Sequence, residues 1–504
     1  MPEPPTWTDP VEAGVDAMST YAPYNLISAA ANRTRDYLTA RIEPDGAFRD
    51  ICDSRVLESA LYLRLLRMRK THERAQRELA AYLYRIRPTT PLDRIARDSA
   101  FHRVPVDTAQ ELLDAFHHPA GSRKRRVLAA ILVALGAPPR TVSDAPPHPR
   151  KQAAWTSLAL CAADILTTRS PRRSSARGIR RRLRTARAGE VWQGNALAHL
   201  LALHALHTVD PLDAVTGTGV EALERIRNHD GGMPFISGQE VFVTALAVSA
   251  LMCSGYDRTR LARCGDFLAD CQLADGGWGY TAATTQSDVD DTARCMEALH
   301  ALAPDRYRDA LNRGRRYLRG MASPSGGFPT YVSHHELEAD MTAGAIIALA
   351  PLSLPATLRS AAEWLVGQQC QDGTFPATWT IGRNSVSERV LHALSLTGHG
   401  AYADCAGRTI RALEMSQNPD GGWGQFLGDS SDILSTAHAV CAVAHYVRPP
   451  KTALDYLLDQ QRHDGSYVSP ADQVGPRPIP FNYPALSSIH ALRALSTAPS
   501  VRSS

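Results

Sequence analysis

A short turn signal recurs through the second half of the chain at a nearly constant period, and that period limits the fold more than any other feature. It reads Asp230-Gly-Gly-Met-Pro-Phe, Asp275-Gly-Gly-Trp-Gly, Ser325-Gly-Gly-Phe-Pro, Asp372-Gly-Thr-Phe-Pro, Asp420-Gly-Gly-Trp-Gly and Asp464-Gly-Ser-Tyr, at spacings of 45, 50, 47, 48 and 44 residues. Most copies follow an amphipathic stretch ending in a polar residue, such as Phe267-Leu-Ala-Asp-Cys-Gln, Trp364-Leu-Val-Gly-Gln-Gln or Tyr456-Leu-Leu-Asp-Gln-Gln. An Ala/Leu-rich run at helical spacing comes after, as in Thr292-Ala-Arg-Cys-Met-Glu-Ala-Leu-His-Ala-Leu. Each unit reads helix, turn, helix, with Asp-Gly making the turn. Helix pairs at this period stack into solenoids or close into α/α toroids, since one pair cannot bury its apolar face alone. The second helix of each pair is the more apolar and is expected inside.

The chain has 504 residues. Single cores stop growing near roughly 250–300 residues, so two large domains are expected. The first half is less regular. Asp45-Gly-Ala-Phe48 is one more copy of the turn, and residues 127–137 and 153–166 read as buried helices on either side of a Pro-rich link, Pro138 to Pro149. Arg169 to Arg187 then holds nine arginines. The regular repeats place a boundary near residue 238.

Composition removes several function classes. An apolar fraction of 44% with 21% charged residues excludes a mostly disordered chain or a fibre. A net charge of +4 argues against nucleic acid as the partner. Nine cysteines without a C-x-x-C pair read as free thiols in a reducing cytosol. Met1-Pro-Glu-Pro-Pro has neither a basic start nor an apolar run, which predicts a cytoplasmic chain without a signal peptide. Uncharged runs such as Ala343 to Ala356 fall short of the roughly 20 residues a bilayer needs, so membrane contact is expected to be peripheral at most.

Ser287-Asp288-Val289-Asp290-Asp291-Thr292-Ala293 stands where an inner helix should begin. Two readings fit. Ser287-x-x-Asp290 resembles a capping box, and acids suit a helix N-terminus. The same three acids could instead donate a proton. Two like charges about 4 Å apart repel by roughly 4 kcal/mol at an effective dielectric near 20. That is about three pKa units, enough to retain one proton near neutral pH. Burial pushes the same way, and the helix N-terminus helps hold the carboxylate left behind. Such a cluster could protonate a weak base such as an alkene. Aromatics in or just after the turns, among them Trp278, Tyr280, Phe328, Tyr331, Phe375, Trp379, Trp423, Phe426, Phe481 and Tyr483, could stabilise the resulting cation or serve only as packing.

Phe267 to Trp278 resembles the QW repeat of squalene-hopene cyclases and class II diterpene cyclases, and Asp288-Val-Asp-Asp-Thr-Ala resembles their DxDD acid motif. The resemblance is clear over about residues 230–504. It implies an all-α fold of two α/α barrels, a γ barrel inserted after the first helix of a β barrel, with the substrate channel between them. Residues 1–30 with 239–504 would then form the β barrel. Residues 31–238, Asp45-Gly-Ala-Phe48 included, would form the γ barrel. By residue, it implies Asp290 as proton donor, supported by Asp288 and Asp291. Trp278, Tyr280, Phe328, Tyr331, Asp340, Trp379 and Trp423 would be substrate-binding.

The implied activity is protonation-initiated cyclisation of farnesyl or geranylgeranyl diphosphate with the diphosphate retained. Magnesium is expected to assist diphosphate binding, and no redox cofactor or protein-held metal is expected. Glu338-Ala-Asp340-Met-Thr-Ala-Gly344 keeps the Asp of squalene-hopene cyclases but has Gly344 where they carry a His bonded to the acid. His334 and His335 are nearby in sequence. Glu240-Val-Phe-Val243 fits the diterpene-cyclase pattern better. Arg123-Lys-Arg-Arg126 and the Arg169–Arg187 cluster are either diphosphate ligands or solvated basic loops. The alternatives are cyclisation of a squalene-like or meroterpenoid substrate, a non-catalytic binding toroid, or a protein prenyltransferase-like toroid. The last would need zinc, for which Asp50-Ile-Cys52 is the only D-x-C.

Overall fold

A computed structural model of the chain describes residues 24–102, 104, 106–115, 121–138, 152–168, 173–352, 354–398, 400–475 and 479–497. The chain divides into two compact units. The first takes residues up to Asp50, then Gln239–Ala282, then Ser287 onward; the second takes Ile51–Gly238 with Ala283–Gln286.

The first unit is a closed double ring of helices. Six inner helices touch in the order Glu240–Cys253, Val289–Leu302, Ala339–Leu349, Asn384–Leu396, Ile433–Val443, Ala485–Thr497 and back to the first. Six outer helices surround them: Tyr24–Thr39, Ala262–Asp270, Arg308–Met321, Pro355–Val366, Ala403–Ser416 and Lys451–Asp459. The sequence dictates the two layers. Glu240–Cys253 and Ala339–Leu349 bury nearly every residue, as helices apolar all round must. Arg308–Met321 buries only Ala310, Leu311, Gly314, Leu318 and Met321, a single stripe, and exposes Arg308, Arg313, Arg316 and Arg319.

Two kinds of stitch recur at the turns. The aromatic's backbone N–H donates to a hydroxyl one turn into the following inner helix: Trp278 to Thr292 at 2.9 Å, Phe328 to Thr342 at 2.9 Å, Trp423 to Thr436 at 2.9 Å. The glutamine before the turn donates to that turn's carbonyl and to the next outer helix, Gln272 to Gly276 O and Ala310 O, Gln369 to Gly373 O and Cys405 O. The indole N–H of Trp278 closes on Leu268 O at 2.6 Å, and that of Trp423 on Leu413 O at 2.8 Å.

The same stitch corrects the expected boundary and the assignment of the early turn. Phe48 N–H donates to Thr244 Oγ1 at 2.8 Å, across 196 positions of sequence. Asp45-Gly-Ala-Phe48 therefore belongs to the first unit, and the break falls after Asp50 rather than after residue 30. The insertion interrupts one repeat: its outer helix and turn precede the inserted segment, and its inner helix, Glu240–Cys253, follows. Residues 1–23 lie outside the described residues.

The ring's seam is the turn at Gly465, which has φ +87°; a Cβ there would stand 2.4 Å from the Arg33 carbonyl oxygen. Gln461 crosses the same seam, donating to Ala30 O at 2.8 Å. Gly465→Ala should therefore lower stability by about 1–3 kcal/mol, read as a lowered thermal unfolding midpoint. A midpoint within error of the parent would show that the seam is not tight.

Among the described residues, the second unit packs Val56–Arg69, Ala154–Leu166 and Ala196–Val209, each mostly buried, against six further helices. A two-residue antiparallel pair, Ser54–Arg55 with Met233–Pro234, joins its beginning to its end. The described part of the arginine cluster is not a loop. Most of it is the helix Arg173–Leu183, because Ala176, Ile179 and Leu183 fall on one stripe and are buried, with Arg184 and Arg187 in the segment that follows. Most of the Pro-rich link, residues 139–150, and Arg169 and Arg172 lie outside the described residues.

Candidate active site

Asp288 caps the inner helix Val289–Leu302, its carboxylate accepting Asp291 N–H at 2.8 Å. The cap is Asp288 rather than Ser287, whose hydroxyl donates to Asp275 at 2.6 Å instead. Capping turns Asp288 and Asp291 inward, and both are buried. Asp290 points the other way. Its side chain is 28% exposed and opens on a cavity of about 650 Å³, counting the part open to solvent.

The residues around that cavity all come from the first unit, where the resemblance placed the channel between barrels. Asp290, Arg294 and Asp340 form one polar wall; Phe242, Met341, Val386, Leu434 and Leu486 supply the apolar lining. Trp379 completes it, held by its indole N–H to Glu338 at 2.8 Å and Thr330 at 3.1 Å, with Tyr331 edge-on at 5.9 Å.

The acids differ in environment. Burial pushes the Asp288 carboxyl up to about 6, against the hydrogen bonds it accepts from Asp291. Burial, then the Asp288 charge, pushes Asp291 well above the usual carboxylate range. The pair holds a proton in the folded chain that the unfolded chain gives up near pH 4. A raised carboxyl pKa makes stability greatest below the unfolded value and lost as pH climbs through the folded one. The thermal midpoint should therefore contain a component that falls between pH 4 and 6 and beyond. Asp291→Asn should flatten that component; an unchanged pH slope would place the proton elsewhere.

Positive charge stands next to the acid. Arg294, one turn along the same helix, donates from Nε to Asp290 at 3.3 Å. Arg389 forks onto Glu297 at 2.9 and 2.6 Å and fills the space beside Gly344, where a Cβ would lie 2.9 Å from its Nη2. Guanidinium groups thus stand where the resemblance expects a histidine. His334 is exposed, and neither it nor His335 lines the cavity.

Several expected substrate-binding aromatics are elsewhere. Trp278, Phe328 and Trp423 are essentially fully buried at helix ends and do not line the cavity. Their rings and backbone N–H groups are already committed to the turns. Tyr280 and Tyr331 are partly buried behind the wall. Burial raises both phenols, with Asp291 adding to it at Tyr280 and Asp288 at Tyr331.

Opposite the acid is a group that the sequence reading missed. Glu388, His438 and His490, all buried, come from three successive inner helices, with possible metal-binding atoms within 4.8 Å of one another. Glu388 spends both oxygens on protein, Oε2 on His438 Nδ1 and Oε1 on Arg493 at 2.7 Å. A carboxylate so committed, with a guanidinium against it, suits a metal poorly. Among the described residues, no group of three or more metal-ligating side chains includes Asp50 or Cys52, and the Asp50 carboxylate accepts Ala485 N–H at 2.7 Å, so the zinc alternative finds no support there. The one signal for this group was charge in the middle of an apolar helix, as in Ser387-Glu-Arg-Val and Thr436-Ala-His-Ala.

Residues 191–384 and 389–500 match the Prenyltransferase alpha-alpha toroid domain family. The chain is 36% identical to a drimenyl diphosphate synthase of Streptantibioticus cattleyicolor, over 93% of this chain and 95% of that protein. It is 35% identical to a drimenyl diphosphate synthase of Streptomyces showdoensis, over 96% of each. Among solved structures, ent-copalyl diphosphate synthase from Streptomyces platensis shares the fold at a TM-score of 0.59 and 17% identity, covering 94% of this chain and 99% of that one. In the described residues no helix is long and apolar enough to cross a membrane. With its toroid of stitched repeats and an aspartate facing an apolar cavity, the chain belongs to the class II terpene cyclase superfamily.

Proposed function

We propose that this enzyme cyclises a linear prenyl diphosphate, farnesyl or geranylgeranyl diphosphate, to a cyclic prenyl diphosphate by protonating an alkene and keeping the diphosphate. The observation that carries this is the division of labour among three acids. Asp288 and Asp291 are buried and hold a proton, while Asp290 alone of the three meets the cavity. Entry of the hydrocarbon displaces water from Asp290. The protonated Asp290 carboxyl then gives its proton to the terminal alkene. The helix N-terminus and Arg294 stabilise the carboxylate that remains.

The cation then closes rings against Trp379 and Phe242, whose faces are worth about 0.5–2 kcal/mol each to a positive centre. The apolar wall excludes water that would quench it early. Asp288 and Asp291 act through Asp290 rather than on substrate. Magnesium would accompany the diphosphate and neutralise part of its charge, bound chiefly through phosphate oxygens as that ion prefers.

Incubation with both diphosphates and with squalene, followed by dephosphorylation and gas chromatography with mass detection, tests the reading. Cyclic alcohols from a diphosphate, without free pyrophosphate in the reaction, are expected. Pyrophosphate released in step with cyclisation, or turnover of squalene alone, would overturn it.

A further inference from the structure

A cascade begun by adding a proton to an alkene leaves a cation, and without a captured nucleophile that cation must lose a proton to end as an alkene. The inner ring shows where. Counting around the six inner helices, Ile433–Val443 lies three places from Val289–Leu302 in either direction, which puts it directly across the ring from the acid. His438 is on that opposite helix, and it lines the same cavity as Asp290. We propose that His438 Nε2 is the base that ends the cyclisation, with Glu388 as its positioning residue; the inference rests on the cyclase reading above.

The geometry has the parts of an oriented base. His438 Nδ1 is bonded to Glu388 Oε2. Arg493 at 2.7 Å keeps Glu388 ionised despite its burial, so that carboxylate can only accept. The proton between them sits on Nδ1, which leaves Nε2 as the free basic nitrogen. The His490 ring lies 4.2 Å away, centroid to centroid, and is kept neutral chiefly by burial, so it adds no charge to repel an imidazolium at His438. Arg294 and Arg389 stand on the acid side of the cavity, and Asp472 also lines it.

The step balances. A C–H bond next to the cationic carbon breaks, its electron pair forms the new double bond, and the proton goes to Nε2. Glu388 stabilises the imidazolium so formed. Across one turnover Asp290 loses one proton and His438 gains one, and exchange with solvent after product release restores both.

The test uses the full-length enzyme with farnesyl and geranylgeranyl diphosphate, reading total substrate consumption and the ratio of cyclic alkene to water-captured, hydroxylated product after dephosphorylation. His438→Gln and His438→Ala should still consume substrate, because Asp290 is untouched. Their alkene fraction should drop by about 10²-fold, as loss of a positioned base does, with hydroxylated or rearranged products taking its place. Glu388→Gln should shift the ratio the same way by a smaller factor, and it covers the case in which a His438 variant does not fold. An unchanged alkene ratio in the folded variants overturns the assignment. So does loss of all consumption in a folded His438 variant, since that would place His438 before the cation forms. If the parent enzyme consumes neither diphosphate, the cyclase reading fails, and this inference with it.

Discussion

Asp290→Asn should reduce cyclisation by about 10⁴-fold, the upper end for losing a positioned acid, while the fold is kept. Neither other acid of the cluster can take over. Asp291 is on the buried side of the helix start, and Asp288 is occupied in capping. Asn keeps the side chain's shape and an oxygen that can accept from Arg294 Nε, so the substitution removes charge and keeps the contact. Unfolding by heat should therefore be nearly unchanged while product formation vanishes. Cyclic product at a rate near that of the parent would remove Asp290 from the mechanism.

Trp278→Ala should do the reverse. Trp278 is fully buried, its indole is bonded to Leu268 O, and it packs at the join of an outer and an inner helix. Truncating such a residue costs about 3–5 kcal/mol. The thermal midpoint should fall by several degrees. The ring is not part of the cavity wall, so whatever enzyme stays folded should give the parent's product distribution. A changed product distribution with an unchanged midpoint would return Trp278 to the substrate-binding set.

These two residues show what a sequence can and cannot disclose here. The toroid was readable because every repeat repeats the same physical problem: a turn, a large ring and a polar stitch. The acid was readable because three carboxylates at a helix start are costly unless used. Ring function was not readable, since a packing aromatic and a cavity aromatic occupy neighbouring places in one turn. In Phe375-Pro-Ala-Thr-Trp379 the first is fully buried and the second lines the cavity. The partner of Asp45-Gly-Ala-Phe48 was hidden because its hydroxyl, Thr244, lies on the far side of the inserted segment. Arg389, Glu388 and His438 were missed because their significance depends on which inner helices face one another, and only ring closure fixes that.

Interruption of one repeat by a whole unit has a consequence for synthesis. The helix Tyr24–Thr39 leaves the ribosome long before its packing partner Ala485–Thr497 is made. At translation rates of about 5–20 residues per second, that helix waits roughly 20–90 s for its partner. The inserted segment, lacking only Ala283–Gln286, can meanwhile begin to collapse on its own. Closure of the ring is thus deferred until Ala485–Thr497 has been made, and a nascent chain stalled before Ala485 holds Asp290 in a drum that cannot shut.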